Sequence, residues 1–380
     1  MTHPAWHHHH PVQIDCGWGQ RRVLCQRLAG QRLLIVTTRR GRKQFETDPI
    51  LSSLLQPTTP LWLDTVNTNP GLTELQQHID TWRSVSCDAI IALGGGSVMD
   101  TAKVLAVALS ADLSHPELAT LLQHSPLTGV RPKPLYAVPT TAGTGSEVTP
   151  FATVWDHTTR QKYSLAGSAL YPQNAVVDAE LSIGLPYAVT LASGLDAINQ
   201  AAESIWNRRM TPISAAFATR ALQLGFMALP QLAQALDHHH AREAMAESSL
   251  LAGLAISQTR TALCHSISYP LTAHFGISHG LACAFTMPAV LKHNLSADDG
   301  RLARLAVQLL GQGHDGHSLL APFQALHEQL QVQAQVKARI PDRAALLALS
   351  PKMLTPGRAD NNLAAVDEGM VRKILIEAWG

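Results

Sequence analysis

At 380 residues the chain is longer than one ordinary core fills, and two domains are expected. Lys and Arg total 29 against 28 Asp and Glu, so the charge balance lacks the footprint of a nucleic-acid or anionic-membrane binder and points to a small-molecule ligand. With 46% hydrophobic and 15% charged residues the composition is globular, and no window approaches the run of about eighteen apolar residues that a membrane span needs.

The chain opens on Met1 to Trp6 and the run His7 to His10, with no apolar segment of the kind a signal peptide carries. The histidine run is expected to be a disordered tail. Five cysteines (Cys16, Cys25, Cys87, Cys264, Cys283) are odd in number and form no CxxC pair, which reads as reduced thiols in a cytoplasmic protein. Cys264, beside His265, reads as a packed helix thiol.

From residue 13 to 92 the signals alternate. Short β-type runs at 33–37, 61–64 and 89–93 are joined by helical patterning that includes 72–84, the mark of a parallel sheet covered on both faces. The third run leads directly into Gly94-Gly95-Gly96-Ser97-Val98-Met99-Asp100, where glycines let backbone N–H groups approach a phosphate and Ser97 opens a helix whose positive end favours the anion. Glycine turns between strand and helix are also common for steric reasons alone, and this one is not the GxGxxG fingerprint. A further strand at 135–138 precedes Pro139-Thr140-Thr141-Ala142-Gly143-Thr144-Gly145-Ser146-Glu147, whose hydroxyls and glycines could line a cofactor groove or form an ordinary turn. Runs at 151–155 and 161–165 read as a hairpin around 156–159, with Lys162 on the return strand.

After Gly184-Leu185-Pro186 apolar residues recur at helical spacing over 188–206, 213–235, 241–257, 261–273, 281–294 and from Arg301 onward, with a last helix at 368–379. The expected division is therefore an α/β nucleotide-binding domain over 1–185 and a helical domain over 186–380. His238 to His240 read as a solvated stretch near a helix junction.

On the first of these helices Asp196 and Gln200 stand one turn apart, so a carboxylate and an amide oxygen project from one face. His265 and His279 are fourteen residues apart, which would place them roughly 21 Å apart along one helix. To share an ion the chain must fold back between them, and Gly276-Ile277-Ser278 is a plausible breaker. Together the four side chains would make a mixed oxygen and nitrogen site suited to Fe²⁺ or Zn²⁺. Nineteen histidines make chance pairings common, and spacing alone leaves the matter open.

Gly194-Leu195-Asp196-Ala197, His265 with Tyr269-Pro270-Leu271, and Ser278-His279-Gly280 with Ala282 resemble the metal-site half of the iron-containing (group III) alcohol dehydrogenases; the glycine loop and the 139–147 segment are similar to that family's cofactor loops. The resemblance implies a dehydroquinate synthase-like fold: a parallel-sheet domain followed by an all-α domain. It also implies metal ligands at Asp196, Gln200, His265 and His279, cofactor contacts from Gly94, Gly95, Gly96, Ser97, Asp100, Thr140, Thr141 and Thr144, and a homodimer. The chain departs from the family pattern at Gln200, where members carry a histidine, and at Tyr269, where many carry another. NAD-preferring members place an Asp at the position of Thr38; here Thr38, Arg39 and Arg40 offer cations to a 2′-phosphate instead, so NADP(H) is favoured over NAD(H).

The implied chemistry is reduction of an aldehyde at a site between the domains, with hydride from the nicotinamide, one divalent metal on the aldehyde oxygen, and Tyr269 or Lys162 as the catalytic side chains. Thr259-Arg260-Thr261 before His265, with Arg358-Ala359-Asp360-Asn361-Asn362, resembles the branch that reduces phosphonoacetaldehyde. Arg260, Lys162 and Arg358 are the substrate-binding candidates, since a phosphonate needs cationic partners. The rivals are reduction of another aldehyde or of maleylacetate, a lyase like dehydroquinate synthase, and a binding protein that has lost its metal.

Overall fold

The computed structural model describes residues 5–56, 59–113 and 116–380. They form two compact units, one of residues 11–183 and one of residues 5–10 with 184–380.

The first unit holds strands β1 (Gln13–Cys16), β2 (Leu33–Val36), β3 (Leu61–Leu63), β4 (Ala89–Gly94), β5 (Leu135–Pro139), β6 (Phe151–Asp156), β7 (Gln161–Ala166) and β8 (Asn174–Val177). Its helices are α1 (Arg22–Leu28), α2 (Arg39–Thr47), α3 (Leu72–Trp82), α4 (Gly96–Ala108) and α5 (Leu118–Gln123). Six strands pair in parallel in the order β1-β8-β5-β4-β2-β3, and β6 and β7 form the separate antiparallel hairpin read from the sequence. Every residue of β2, β4, β5 and β8 is buried, as befits a sheet covered on both faces. Alternate residues divide between two cores. Leu34, Val36, Ile90 and Ala92 pack with α3 and α4, whereas Leu33, Ile35, Ile91 and Leu93 pack with Leu24, Leu28 and Phe45 of α1 and α2.

The sheet order carries a functional implication. From β2 the chain passes outward to β3 and then returns to the other side of β2 as β4, so the carboxyl ends of β2 and β4 flank a topological switch point, where open α/β sheets bind ligands. Thr38 and Arg39 follow one strand and Gly95 and Gly96 the other.

The second unit is helical: α6 (Tyr187–Ile205), α7 (Pro212–Gln234), α8 (His239–Thr259), α9 (Leu263–Phe275), α10 (His279–Phe285), α11 (Met287–Leu295), α12 (Arg301–Leu310), α13 (Leu320–Gln329), α14 (Val332–Lys337), α15 (Arg343–Leu347) and α16 (Glu368–Trp379). Thr211 and Ser214 close a capping box at the start of α7, with Pro212 in the first turn. The segment expected as one helix over 281–294 is two, α10 and α11, because Pro288 lacks the N–H that a continuous helix would use there. One other expectation needs correction. Residues 7–10 are held to the helical unit, where Gln258 Nε2 donates to His9 O at 2.9 Å and the His8 ring lies 6.3 Å from that of Phe217. His238 to His240 are exposed at the start of α8, as expected, with His238 as its N-cap and its Nδ1 accepting from Ala241 N. No helix among the described residues is long and apolar enough to cross a membrane.

Candidate metal centre and cofactor cradle

From Gly194 onward α6 is apolar except along one buried line, Asp196, Asn199, Gln200, Glu203 and Ser204, which repeats at helical spacing. Interior polar groups are costly unless partnered, so this stripe must be met by something polar. It is met by α9 and α10. The αL C-cap at Gly276 (φ 63°) ends α9 and lets the chain reverse into α10, which brings His279 back beside His265, ring centroids 5.2 Å apart. At Gly280 a Cβ would sit 1.9 Å from Ala192 O and 2.9 Å from Asp196 Cβ, so glycine is what allows α10 to lie against α6.

Asp196, His265, His279 and Cys283 bring one ligand atom each to within 4.8 Å of one another. His265 Nε2 lies 3.4 Å from Asp196 Oδ1, and its Nδ1 is 2.6 Å from Glu203 Oε2. Glu203 also accepts the backbone N–H groups of Ala262 and His265, which begin a helix with no side-chain cap of its own. One carboxylate thus caps α9, complements its dipole and orients the imidazole, with Nδ1 toward Glu203 and Nε2 toward Asp196. Burial opposes protonation of His265, yet Cys283, Glu203 and Asp196 together raise its pKa well above the usual histidine range. This is a pocket that attracts positive charge.

On this stripe the buried oxygens Asn199 Oδ1 and Gln200 Oε1 have no hydrogen-bond partner among the described residues, nor has His265 Nε2 one of good geometry, at 3.4 Å from Asp196 Oδ1. A divalent cation fits this donor set, since it needs lone pairs without protons. The Tyr269 ring stacks on that of His279 at 6.0 Å and 16°, and Ser268 Oγ is 3.4 Å from His279 Nδ1. The sequence reading overlooked Glu203 and Cys283. Both had a signal: Glu203 is seven residues after Asp196 on the same stripe, and Cys283 is one turn after His279.

Arg260 ends α8 with φ 61° and ψ 179°, a region that costs a non-glycine residue about 1–3 kcal/mol. Burial lowers the pKa of its guanidinium, and the charges of Arg358 and Arg209 lower it further, so three cations share one neighbourhood. Arg358 Nη1 donates to Gly357 O.

In the α/β unit the two glycine-bearing segments meet. A Cβ on Gly95 would lie 3.1 Å from Thr141 Oγ1, and one on Gly96 would lie 2.7 Å from Thr144 Cγ2. Thr140 N donates to Gly94 O. Helix α4 starts at Gly96, one residue before Ser97, with Gly95 as an N-cap that offers no side chain to the first turn. These backbone groups at the switch point form a glycine-lined cradle of the kind that suits an anion. Ser97 Oγ accepts from Asn69 N, and Asp100 accepts from Ser146 Oγ and Thr153 N, so both side chains brace the cradle. The Asp100 carboxyl is pushed up by burial, against the pull of Lys103 and, more weakly, of Lys162, whose Nζ lies 5.9 Å from the Trp155 ring. Lys103 is wholly buried and donates to Ser146 Oγ, Thr149 O, Thr149 Oγ1 and Phe151 O. Thr38 is the N-cap of α2, its Oγ1 accepting from Gly41 N, with Arg39 and Arg40 exposed beside it.

Residues 11–179 match the family model of iron-containing alcohol dehydrogenases and residues 190–345 that of the Fe-containing alcohol dehydrogenase C-terminal region. Among curated proteins the chain is 38% identical to a phosphonoacetaldehyde reductase of Streptomyces viridochromogenes over 67% of its own length and 65% of that protein's, slightly under two thirds of the relative. It is 31% identical to a 1,3-propanediol dehydrogenase of Citrobacter freundii over 82% of this chain and 80% of that one. Among solved structures it superposes on a sulfoacetaldehyde reductase of Bifidobacterium kashiwanohense in complex with NAD⁺ with a TM-score of 0.87 at 26% identity, covering 100% of both chains. The chain belongs to the iron-containing alcohol dehydrogenase family.

Proposed function

We propose that the chain is a metal-dependent, nicotinamide-linked reductase that converts phosphonoacetaldehyde to 2-hydroxyethylphosphonate. The observation that carries the reading is the convergence of Asp196, His265 and His279 on one buried point, with Gln200 Oε1 and His265 Nε2 lacking hydrogen-bond partners of good geometry among the described residues. When bound, the divalent cation, Fe²⁺ or Zn²⁺, would supply Lewis-acid polarisation of the aldehyde oxygen and the reduced nicotinamide would supply hydride. Asp196, His265 and His279 would hold the metal, with Gln200 beside them on α6, and Glu203 would keep His265 in the tautomer that can ligate. Gly94, Gly95, Gly96, Thr140, Thr141 and Thr144 hold the pyrophosphate, backed by Ser97 and Asp100. Tyr269, stacked on His279, is the candidate that returns a proton to the product alkoxide, with Lys162 as the second candidate. Thr38 and Arg39 favour NADP(H). Action in the cytoplasm, in keeping with five free cysteines, and a homodimeric state belong to the same proposal.

The substrate assignment rests on Arg260, whose guanidinium shares its neighbourhood with Arg358 and Arg209, and on the likeness to the phosphonoacetaldehyde reductase. A cationic cluster of this kind suits an anionic tail. It suits a sulfonate as well, and the likeness to the sulfoacetaldehyde reductase favours that second reading. The test is an initial-rate comparison of phosphonoacetaldehyde, sulfoacetaldehyde, acetaldehyde and maleylacetate with NADPH and with NADH. The phosphonate aldehyde should lead acetaldehyde by at least ~10-fold in kcat/KM, which corresponds to one charged contact of about 1.4 kcal/mol. Equal rates for charged and uncharged aldehydes would overturn the substrate assignment. Absence of any net NAD(P)H oxidation would favour the lyase.

A further inference from the structure

We propose that Cys283 is a ligand of the metal, so that the protein donors are Asp196, His265, His279 and Cys283, and Gln200 lies outside the bonded set. The inference rests on the metal-site reading above and deepens it.

Cys283 stands one turn after His279 on α10, so the two side chains share a face. Its Sγ lies 3.8 Å from both ring nitrogens of His279. Around one tetrahedral ion with bonds of about 2.0–2.3 Å, donor atoms are roughly 3.3–3.8 Å apart. Asp196 to His265 at 3.4 Å and His279 to Cys283 at 3.8 Å already meet that spacing. The widest separation in the set, 4.8 Å, closes with a shift of about an ångström.

Charge and softness point the same way. Aspartate, two imidazoles and a neutral amide leave a divalent cation half compensated in a buried site, whereas a thiolate in place of the amide neutralises it. Cys283 is fully buried, with no solvent to compete for its sulfur. Metal binding would exchange the S–H proton for the metal–sulfur bond and release that proton to solvent. A thiolate donor shifts preference toward Zn²⁺ over harder ions. Expansion to five donors, which zinc permits, leaves a position for a substrate oxygen.

The test is Co²⁺ substitution of the full-length protein, read by absorption. Thiolate ligation gives an intense near-ultraviolet sulfur-to-cobalt charge-transfer band, alongside the weaker visible bands that report bound Co²⁺ whatever its ligands. The native protein and Gln200→Ala should both show the charge-transfer band, Cys283→Ala should lose it, and Cys264→Ala should keep it. Visible bands without a charge-transfer band in the native protein would overturn the proposal, as would survival of the band in Cys283→Ala. The native spectrum decides whether a thiolate is bound even if Cys283→Ala does not fold. Failure to bind Co²⁺ at all would sink this proposal and the metal reading together. A charge-transfer band in a protein with no aldehyde reductase activity would leave the ligand assignment standing while refuting the proposed function.

Discussion

Glu203 performs three tasks with one carboxylate: it caps α9, engages Nδ1 of His265 and sets the angle at which that ring meets Asp196. Outer groups of this kind tune affinity without touching the ion. Glu203→Gln is expected to weaken Zn²⁺ binding by about 10–100-fold in competition with a chelator, and an unchanged affinity would mean that the ring is positioned by packing alone. Arg260 offers a sharper separation of structure from function, because its backbone sits where glycine is at ease. Arg260→Gly should therefore hold or raise the melting temperature while raising KM for phosphonoacetaldehyde more than for acetaldehyde. A fall in stability with no change in KM would assign the guanidinium to the fold.

At the scale of elements, the metal centre depends on how closely α10 can approach α6. Gly280→Ala must move one of the two, since the added Cβ meets backbone rather than a flexible side chain. A loss of about 1–3 kcal/mol in unfolding free energy is expected, together with weakened metal binding. In the α/β unit the corresponding fixture is Lys103, whose ammonium anchors α4 to the 146–151 segment by sharing its three protons among four acceptors, while burial draws its pKa down to about 8. Four acceptors, two of them carbonyls, favour the ammonium form at neutral pH. Lys103→Met should cost about 3 kcal/mol or more in denaturant unfolding, since it leaves those acceptors unpaired. A neutral result would show that water or a shift of the segment satisfies them.

At the scale of the whole molecule, pH dependence and the sources of the fold can be separated. Burial lifts Glu147 from the usual glutamate range to about 7, against the pull of its own backbone N–H and of Lys103. A raised carboxyl keeps its proton in the folded state after the unfolded chain has released it, so its contribution falls as pH rises from about 4.5 to about 7. The melting temperature of Glu147→Gln should gain on that of the native protein across this window; a constant difference would contradict the shift.

Much of this was legible in the chain. Uniformly apolar strands such as Leu33–Val36 and Ala89–Gly94 announce a sheet covered on both faces. Edge strand β1, QIDC, and strand β8, NAVV, were not read, because both are defined by pairing with distant partners. The same limit applied to the metal centre. The Asp196 and Gln200 pair was visible because helical spacing is local, and the glycine loop because three successive glycines between a strand and a helix stand out by composition. The sequence alone determined the order of the elements, the polar stripe on α6, the chain reversal at Gly276 and the family resemblance. Which groups complete that stripe was decided by tertiary structure: Glu203 and Cys283 acquire their roles only when α9 and α10 fold back onto α6, and a contact made across dozens of residues is fixed by packing rather than by spacing.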